Sequence, residues 1–195
     1  MRIGIFGGTF DPIHLGHLVL AEQCREQLGL EEVWFVPAGE PPHKMAAPRS
    51  SGRHRREMVE FAIAGHAHFK VSDIELERDG PSYTVETLSQ LHQLHPNEEW
   101  WLLIGADSLD NFATWREPER ITQLSRIAAV NRGDRSLPDT VAFTALFGDR
   151  LDVVTMPGID LSASDIRQRI AAGRSIRYLV PRAVEVYIQE QRLYR

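Results

Sequence analysis

The sequence predicts an α/β fold, a doubly wound and mostly parallel sheet with helices on both faces, Rossmann-like in plan. Three observations predict it. Apolar strand-like runs alternate with helical patterns along the chain. No internal repeat or low-complexity tract breaks that alternation. The 195 residues, 43% hydrophobic and 25% charged, suit one compact domain spanning 1–195. Right-handed crossovers turn successive βαβ units into a doubly wound sheet. Ligands then bind beyond the carboxyl ends of the strands, where the strand order reverses. The residues that follow each strand are therefore the ones to read for chemistry.

Residues 2–6 read as a buried strand and Leu15–Leu28 as an amphipathic helix ended by Gly29. Glu32–Pro37 is a strand, and 40–52 is a loop rich in proline, serine and basic residues. A helix over 53–64 follows, with Met58, Phe61 and Ala62 on its apolar side, and 70–77 alternates like a strand. Thr84–Leu94 is a helix and 100–104 a strand; 117–124 looks helical and 126–131 is a strand. Leu151–Met156 is the last strand, and helices over 162–172 and 181–191 close the chain.

Composition narrows the function classes. A formal net charge of −5 gives no general attraction for nucleic acid, so any bound phosphate must be held by a local cluster of cations. The single cysteine, Cys24, allows no internal disulfide and reads as a buried small apolar residue in a reducing compartment. No basic stretch followed by an apolar run opens the chain, and no apolar segment is long enough to cross a bilayer. A cytoplasmic protein without membrane partners is the expectation. The sequence leaves the oligomeric state open, a homo-oligomer included.

The first loop reads Gly7-Gly8-Thr9-Phe10-Asp11-Pro12-Ile13-His14-Leu15-Gly16-His17. A glycine pair after a strand lets the backbone turn tightly and approach a ligand. The helix that starts near His14 offers main-chain N–H groups and a positive dipole end, which favour phosphate. His14 and His17 are three apart and share a helical face, so two imidazoles can grip one phosphate. Two other readings stand beside this one: ordinary helix-start residues, or two ligands of a metal that lacks a clear third and fourth. Neither G-x-G-x-x-G nor a P-loop is present.

Near the carboxyl end, Leu161-Ser162-Ala163-Ser164-Asp165-Ile166-Arg167 follows a strand. Ser162 with Asp165 three residues on is a capping-box pattern, which accounts for Asp165 structurally. Ser164 and Arg167 share a face of the first turn, where a hydroxyl and a guanidinium suit phosphates. A solvated surface arginine is the competing reading.

The stretch Gly7–His17 resembles the signature of the nucleotidyltransferase superfamily, and the segment around Ser162 its I-S-x-[ST]-x-I-R motif. The H-x-G-H also resembles class I aminoacyl-tRNA synthetases, but 195 residues leave no room for a tRNA-reading domain. The resemblance implies that His14, His17 and Arg167 contact the triphosphate of ATP. It implies that Gly7, Gly8, Thr9, Phe10, Gly105, Asp107, Ser162 and Ser164 complete the nucleotide site. Three further segments resemble nicotinate mononucleotide adenylyltransferases, and the likeness then covers almost the whole chain. One is Pro41-Pro42-His43-Lys44, a stiffened loop that brings Lys44 to phosphate. Another is Ser82-Tyr83-Thr84, where the resemblance implies that the main chain of Tyr83 and Thr84 receives the nicotinate carboxylate. The third runs from Ile104 to Trp115, with Asp107 toward ribose and Trp115 stacked on the pyridine ring. Thr84 or Ser82 as a mere helix cap, and Trp115 as a packing residue, are the plainer alternatives. Arg132, at the end of a strand, is also positioned to meet phosphate, a role the resemblance implies less strongly. Phe10-Asp11, where archaeal nicotinamide relatives tend to have Phe-Gln, favours the nicotinate type.

These likenesses imply adenylyl transfer from ATP to nicotinate mononucleotide by in-line attack, with no covalent enzyme intermediate. Mg²⁺ is expected with ATP, bridging phosphate oxygens mostly through water, so no acidic cage is needed. The alternatives are nicotinamide mononucleotide or phosphopantetheine as acceptor, a non-catalytic nucleotide sensor, and a metal-dependent hydrolase.

Overall fold

The computed structural model describes residues 1–40, 50–132 and 147–195, with the main chain alone for Asp107 and Arg132. The elements in chain order are β1 (Arg2–Gly8), α1 (Leu15–Leu28), β2 (Glu32–Pro37), α2 (Gly52–Ile63) and β3 (Phe69–Val71). Then come α3 (Thr84–Leu94), β4 (Glu99–Gly105), α4 (Ala106–Asp110), a 3-10 turn (Phe112–Thr114) and α5 (Pro118–Leu124). The chain continues with β5 (Arg126–Arg132), β6 (Leu151–Met156), α6 (Ala163–Ala171) and α7 (Arg182–Glu190). Six strands form one sheet in the order β3-β2-β1-β4-β5-β6, and every adjacent pair runs parallel. The order reverses between β1 and β4, so the loops after these two strands flank the crevice expected to bind ligand.

The period of two along each strand divides the core. Ile3, Ile5, Trp100, Leu102, Ile104, Ile127 and Ala129 pack on one face with Val85, Leu88, Leu91 and Ile121 of α3 and α5. Phe6, Trp101, Leu103, Ala128 and Val130 point to the other face, against residues of α1, α2, α6 and α7 such as Leu20, Met58, Ile166 and Val184. Both faces are thus covered, as a parallel sheet requires. Each fully buried leucine or isoleucine contributes about 1.5–3 kcal/mol. Cys24 is fully buried in this core, and burial pushes its thiol up to about 12.

Helix ends follow the chemistry of their sequences. Gly29, at φ 61°, closes α1 with main-chain bonds from Gly29 to Glu26 and from Leu30 to Arg25. Ser162 caps α6 by accepting the Asp165 N–H at 3.0 Å, as its spacing predicts. Asp165 itself pairs with Arg169 at 2.9 Å.

Two expectations are corrected. The alternating stretch 70–77 is a strand only over Phe69–Val71. Beyond it the chain turns, because β3 is the sheet edge and Ile74 and Glu75 are drawn inward beneath α3. On α2 the buried face carries Arg55, Met58, Val59 and Ile63, whereas Phe61 is 44% exposed and leans on Tyr187. Spacing from Val59 turns Arg55 and Ile63 inward and leaves Phe61 off the buried stripe. The proline-rich loop 41–49 and the segment 133–146 lie outside the described residues. No helix among the described residues is long and apolar enough to cross a membrane.

The far half of the sheet is tied at its amino end by one carboxylate. Asp152 of β6 accepts Nε and Nη2 of Arg126 on β5 at 2.8 and 3.0 Å, and the Trp101 indole of β4 at 3.0 Å. Burial acts to raise the Asp152 pKa, but Arg126 and Trp101 outweigh it and hold the carboxyl below its usual value of 3.8. A folded-state pKa below the unfolded one contributes stability above pH 3.8 that is lost as pH falls through the depressed value. Asp152→Asn should therefore lower the urea midpoint at pH 7. The gap to the parent protein should close as unfolding is repeated from pH 5 down to about pH 3.

Candidate active site

The first loop leaves β1 through Gly7 and Gly8, which still pair with Val36 and Pro37 of β2. A Cβ on Gly8 would lie 2.8 Å from the Phe10 ring, whereas one on Gly7 would meet nothing within 4 Å. Gly7 is thus the point where the main chain is open to an approaching ligand. Phe10 adopts φ 50°, and its ring is buried against Phe6 and Phe35. Of the residues expected around ATP, Phe10 can reach it only through its main chain. Thr9 accepts a hydrogen bond at its carbonyl from Arg55 Nη1, 3.1 Å away.

His14 is the extended residue that caps α1, and His17 lies one turn in. Their rings stack, with centroids 3.7 Å apart and planes inclined by 26°. The His14 main-chain N–H donates to His17 Nδ1 at 3.2 Å, within a reciprocal capping box. With Nδ1 accepting, the proton of a neutral His17 ring sits on Nε2, which makes that edge a donor. Phe10 meets His17 edge-on at 5.2 Å and fixes its plane. Gly16, between the histidines, has a chemical reason for its place: a Cβ there would come within 3.1 Å of His14 Nδ1.

One expectation at this helix start needs amending. The Leu15 N–H, the first of α1, donates to the Leu179 carbonyl at 3.0 Å, and the His14 N–H serves His17. These two donors are engaged within the fold, so the phosphate contact expected at this helix start falls to the imidazoles rather than to the first main-chain N–H groups.

The second motif meets the first directly. Arg167, one turn into α6, donates from Nη1 to the Asp11 carbonyl at 2.7 Å. Ile159, in the segment leading to α6, would lie 3.7 Å from a Cβ on Gly16. The guanidinium and the imidazoles therefore border the same loop. Ser164 is exposed on the same helix face, while the Ser162 hydroxyl is engaged as the cap.

A cavity of about 440 Å³ opens between α3 and the segment after α4. Ser82, Tyr83, Thr84, Trp115 and Arg116 line it, so the two segments expected to hold a pyridine ring face one space. Helix α3 starts at Thr84 with Tyr83 as its cap and no side-chain cap bond. Such an end presents main-chain N–H groups lacking intrahelical partners. Ser82 does not cap this helix; its hydroxyl accepts the Gly39 N–H at 3.1 Å. Trp115 packs on Phe112 with centroids 5.1 Å apart. Gly105 closes β4 and caps α4, the helix that carries Asp107. The side chains of Asp107 and Arg132, and Lys44 altogether, lie outside the described residues.

Residues that sequence reasoning passed over tie these pieces together. Arg55 is 4% exposed and bridges the Thr9 carbonyl to that of Gly39, 3.1 and 3.4 Å away. Gly39 in turn bonds Ser82, and Glu40 accepts the Ser82 N–H at 2.9 Å. A Cβ on Gly39 would fall 2.3 Å from the Glu75 carbonyl, so only glycine fits. Glu75 is buried beneath this junction; burial pushes its carboxyl above the usual range, although Thr87 donates to it at 2.7 Å. Arg116 lies 4.5 Å over the Tyr83 ring and pairs with Glu86 at 3.0 Å. Arg55 carried one signal, an arginine at a core-facing position of an amphipathic helix. A second cavity, of about 660 Å³, is lined by Ile170, Arg174, Ile176, Ile188 and Leu193 and shares no residue with this site. No group of three or more His, Cys, Asp or Glu among the described residues is arranged to hold a metal.

Comparison with known proteins bears on the family and the fold. The family model described as cytidylyltransferase-like matches residues 5–169. A Thermomicrobium roseum protein named "Probable nicotinate-nucleotide adenylyltransferase" is 45% identical over all of this chain and 92% of its own length. A relative of the same name from Exiguobacterium sibiricum is 46% identical over all of this chain and 99% of its own. The Plasmodium falciparum nicotinic acid mononucleotide adenylyltransferase complexed with NaAD superposes with a TM-score of 0.83 at 20% identity, covering 99% of this chain and 97% of that one. That last likeness establishes the shared fold. By the family model and the full-length identities, the chain belongs to the cytidylyltransferase-like family and, within it, to the nicotinate-nucleotide adenylyltransferases.

Proposed function

We propose that this chain transfers the adenylyl group of ATP to nicotinate mononucleotide, giving nicotinate adenine dinucleotide and pyrophosphate, a step of NAD biosynthesis. The observation that carries the reading is the 2.7 Å bond from Arg167 to the Asp11 carbonyl. It sets a guanidinium against the loop whose next turn carries two stacked imidazoles. Three donors bordering one loop suit a triphosphate better than any neutral ligand.

The acceptor phosphate is ionised at neutral pH, so its oxygen attacks the α-phosphorus of ATP without a general base. The bond from that phosphorus to the β-phosphate oxygen breaks, and pyrophosphate leaves. No covalent enzyme intermediate is required. Catalysis then consists of holding the two phosphates in line and neutralising charge as it spreads over the α-phosphate and the leaving group. His17 Nε2–H, His14 and Arg167 supply that neutralisation. Mg²⁺ enters as part of the nucleotide substrate, ligated by phosphate oxygens and water. Gly7, Gly8, Thr9, Gly105, Asp107, Ser162 and Ser164 border the nucleotide, with Phe10 contributing main chain. In the 440 Å³ cavity the start of α3 at Tyr83 and Thr84 receives the nicotinate carboxylate and Trp115 stacks on the ring. Lys44 and Arg132 serve the phosphates.

Pyrophosphate release measured with ATP and each acceptor in parallel tests the reading. Nicotinate mononucleotide should turn over with a kcat/KM at least about ten-fold above that of its amide, since an amide cannot accept at both positions. Equal turnover of both, or of phosphopantetheine alone, would remove the acceptor assignment. His17→Ala and Arg167→Ala should each lose about 10²–10³ in kcat, the effect of deleting one charged transition-state contact, while the melting temperature stays close to that of the parent. Near-normal turnover in both variants would refute the assigned roles. Gly16→Ala should push the His14 ring aside by a few tenths of an ångström and cost about ten-fold or more in kcat, with circular dichroism unchanged.

A further inference from the structure

We infer that Tyr194, the penultimate residue, is a positioning residue for adenylyl transfer: its hydroxyl and that of Ser50 hold the Asp11 carboxylate so that the Asp11 carbonyl stays where Arg167 is anchored. The inference rests on the functional reading above.

Asp11 works at both ends. Its residue is only 2% exposed, so its carboxylate must find donors inside the protein. The Tyr194 hydroxyl and the Ser50 hydroxyl both donate to Oδ1, and the Ser50 N–H approaches Oδ2 at 3.4 Å. The Tyr194 oxygen also lies 3.3 Å from Ser50 Oγ and 3.9 Å from the Met58 sulfur, which closes the far side. The main-chain oxygen of the same Asp11 accepts Arg167 Nη1 at 2.7 Å. A shift of the side chain therefore moves the anchor of the catalytic guanidinium. Burial together with the Asp11 charge raises the Tyr194 pKa well above the usual tyrosine range, so the hydroxyl remains a donor at any physiological pH.

The tail that delivers Tyr194 is shaped for this contact. Just past the cap of α7, Arg192 stands at φ 54°, its N–H on Gln189 and the next N–H, of Leu193, on Ile188. Tyr194 is itself left-handed, at φ 64°. Two residues with side chains in this region within three positions are disfavoured unless tertiary contacts hold them. The contacts present are the Asp11 carboxylate, Ser50 and Met58.

A purely structural tail would predict a different pattern from a positioning role, and a double-mutant cycle separates the two. Tyr194→Phe keeps the ring and removes the donor. In the parent protein it should lower kcat about ten-fold and leave KM for ATP within about two-fold. In an Arg167→Ala background it should change kcat by less than about two-fold, because the group it positions is gone. Equal losses in both backgrounds would overturn the inference. Hydrogen–deuterium exchange gives a reading that does not depend on activity: amides over residues 9–17 should exchange faster in Tyr194→Phe, with those of β4 and β5 unchanged. Unaltered exchange in 9–17 would also overturn it. If the parent protein transfers no adenylyl group, the functional reading fails by itself, and the exchange result still decides whether Tyr194 holds the loop.

Discussion

A buried carboxylate costs several kcal/mol unless donors replace its lost water. In this protein the cost is met at Asp11, and the way it is met organises the active loop. Hydroxyls from Ser50 and Tyr194 converge on one side-chain oxygen. These groups follow Asp11 by 39 and 183 residues, so satisfying a single charge brings the segment before α2 and the segment after α7 to the same point. The carbonyl of that residue then accepts Arg167. Each imidazole, by contrast, is oriented locally, by a capping box and by the edge of Phe10. The site thus combines one element held by short-range helix chemistry with another held by long-range contacts.

Arg55 extends the same logic toward the cavity at the start of α3. Its guanidinium is buried, and carbonyls of two different loops receive it. One loop follows β1 and the other follows β2, neighbouring parallel strands whose carboxyl ends lie side by side. From Gly39 the path continues through Ser82 to the start of α3, where the cavity begins. An in-line displacement depends on two phosphates keeping a fixed separation, and misplacement by about 1 Å can cost 10²-fold in rate. For the proposed reaction, a hydrogen-bonded path from the histidine loop to the cavity at α3 is a physical means of keeping that separation.

Elements with strong local signals were legible before any coordinates. Leu15–Leu28, Thr84–Leu94 and Leu151–Met156 occupy the spans that periodicity, caps and breakers mark for them. The parallel sheet followed from the alternation of strands and helices. The stretch 70–77 misled because alternation records which residues turn inward, and a chain that curls beneath α3 buries Ile74 and Glu75 as a strand would. Phe61 misled because it stands off the stripe of Arg55, Met58, Val59 and Ile63 that spacing turns inward. Arg55 joins that stripe because main-chain carbonyls from elsewhere in the fold receive it. The placement of His14, His17 and Arg167 at helix starts was legible, because short spacings encode it. Arg55, Tyr194 and Gly39 were not, since their roles exist only through partners 16 to 183 residues away.

The sequence by itself determined the order of the elements, the helix starts that carry the histidines and the arginine, and the glycine between the imidazoles. These depend on interactions within a few residues, which spacing encodes. Tertiary structure alone decided that Arg167 meets the Asp11 carbonyl, that Arg55 joins two loops, and that the last turn of the chain supports the first. Those contacts arise from the crossover geometry of the sheet and from the need to satisfy charges that folding has removed from water, and no local pattern records either.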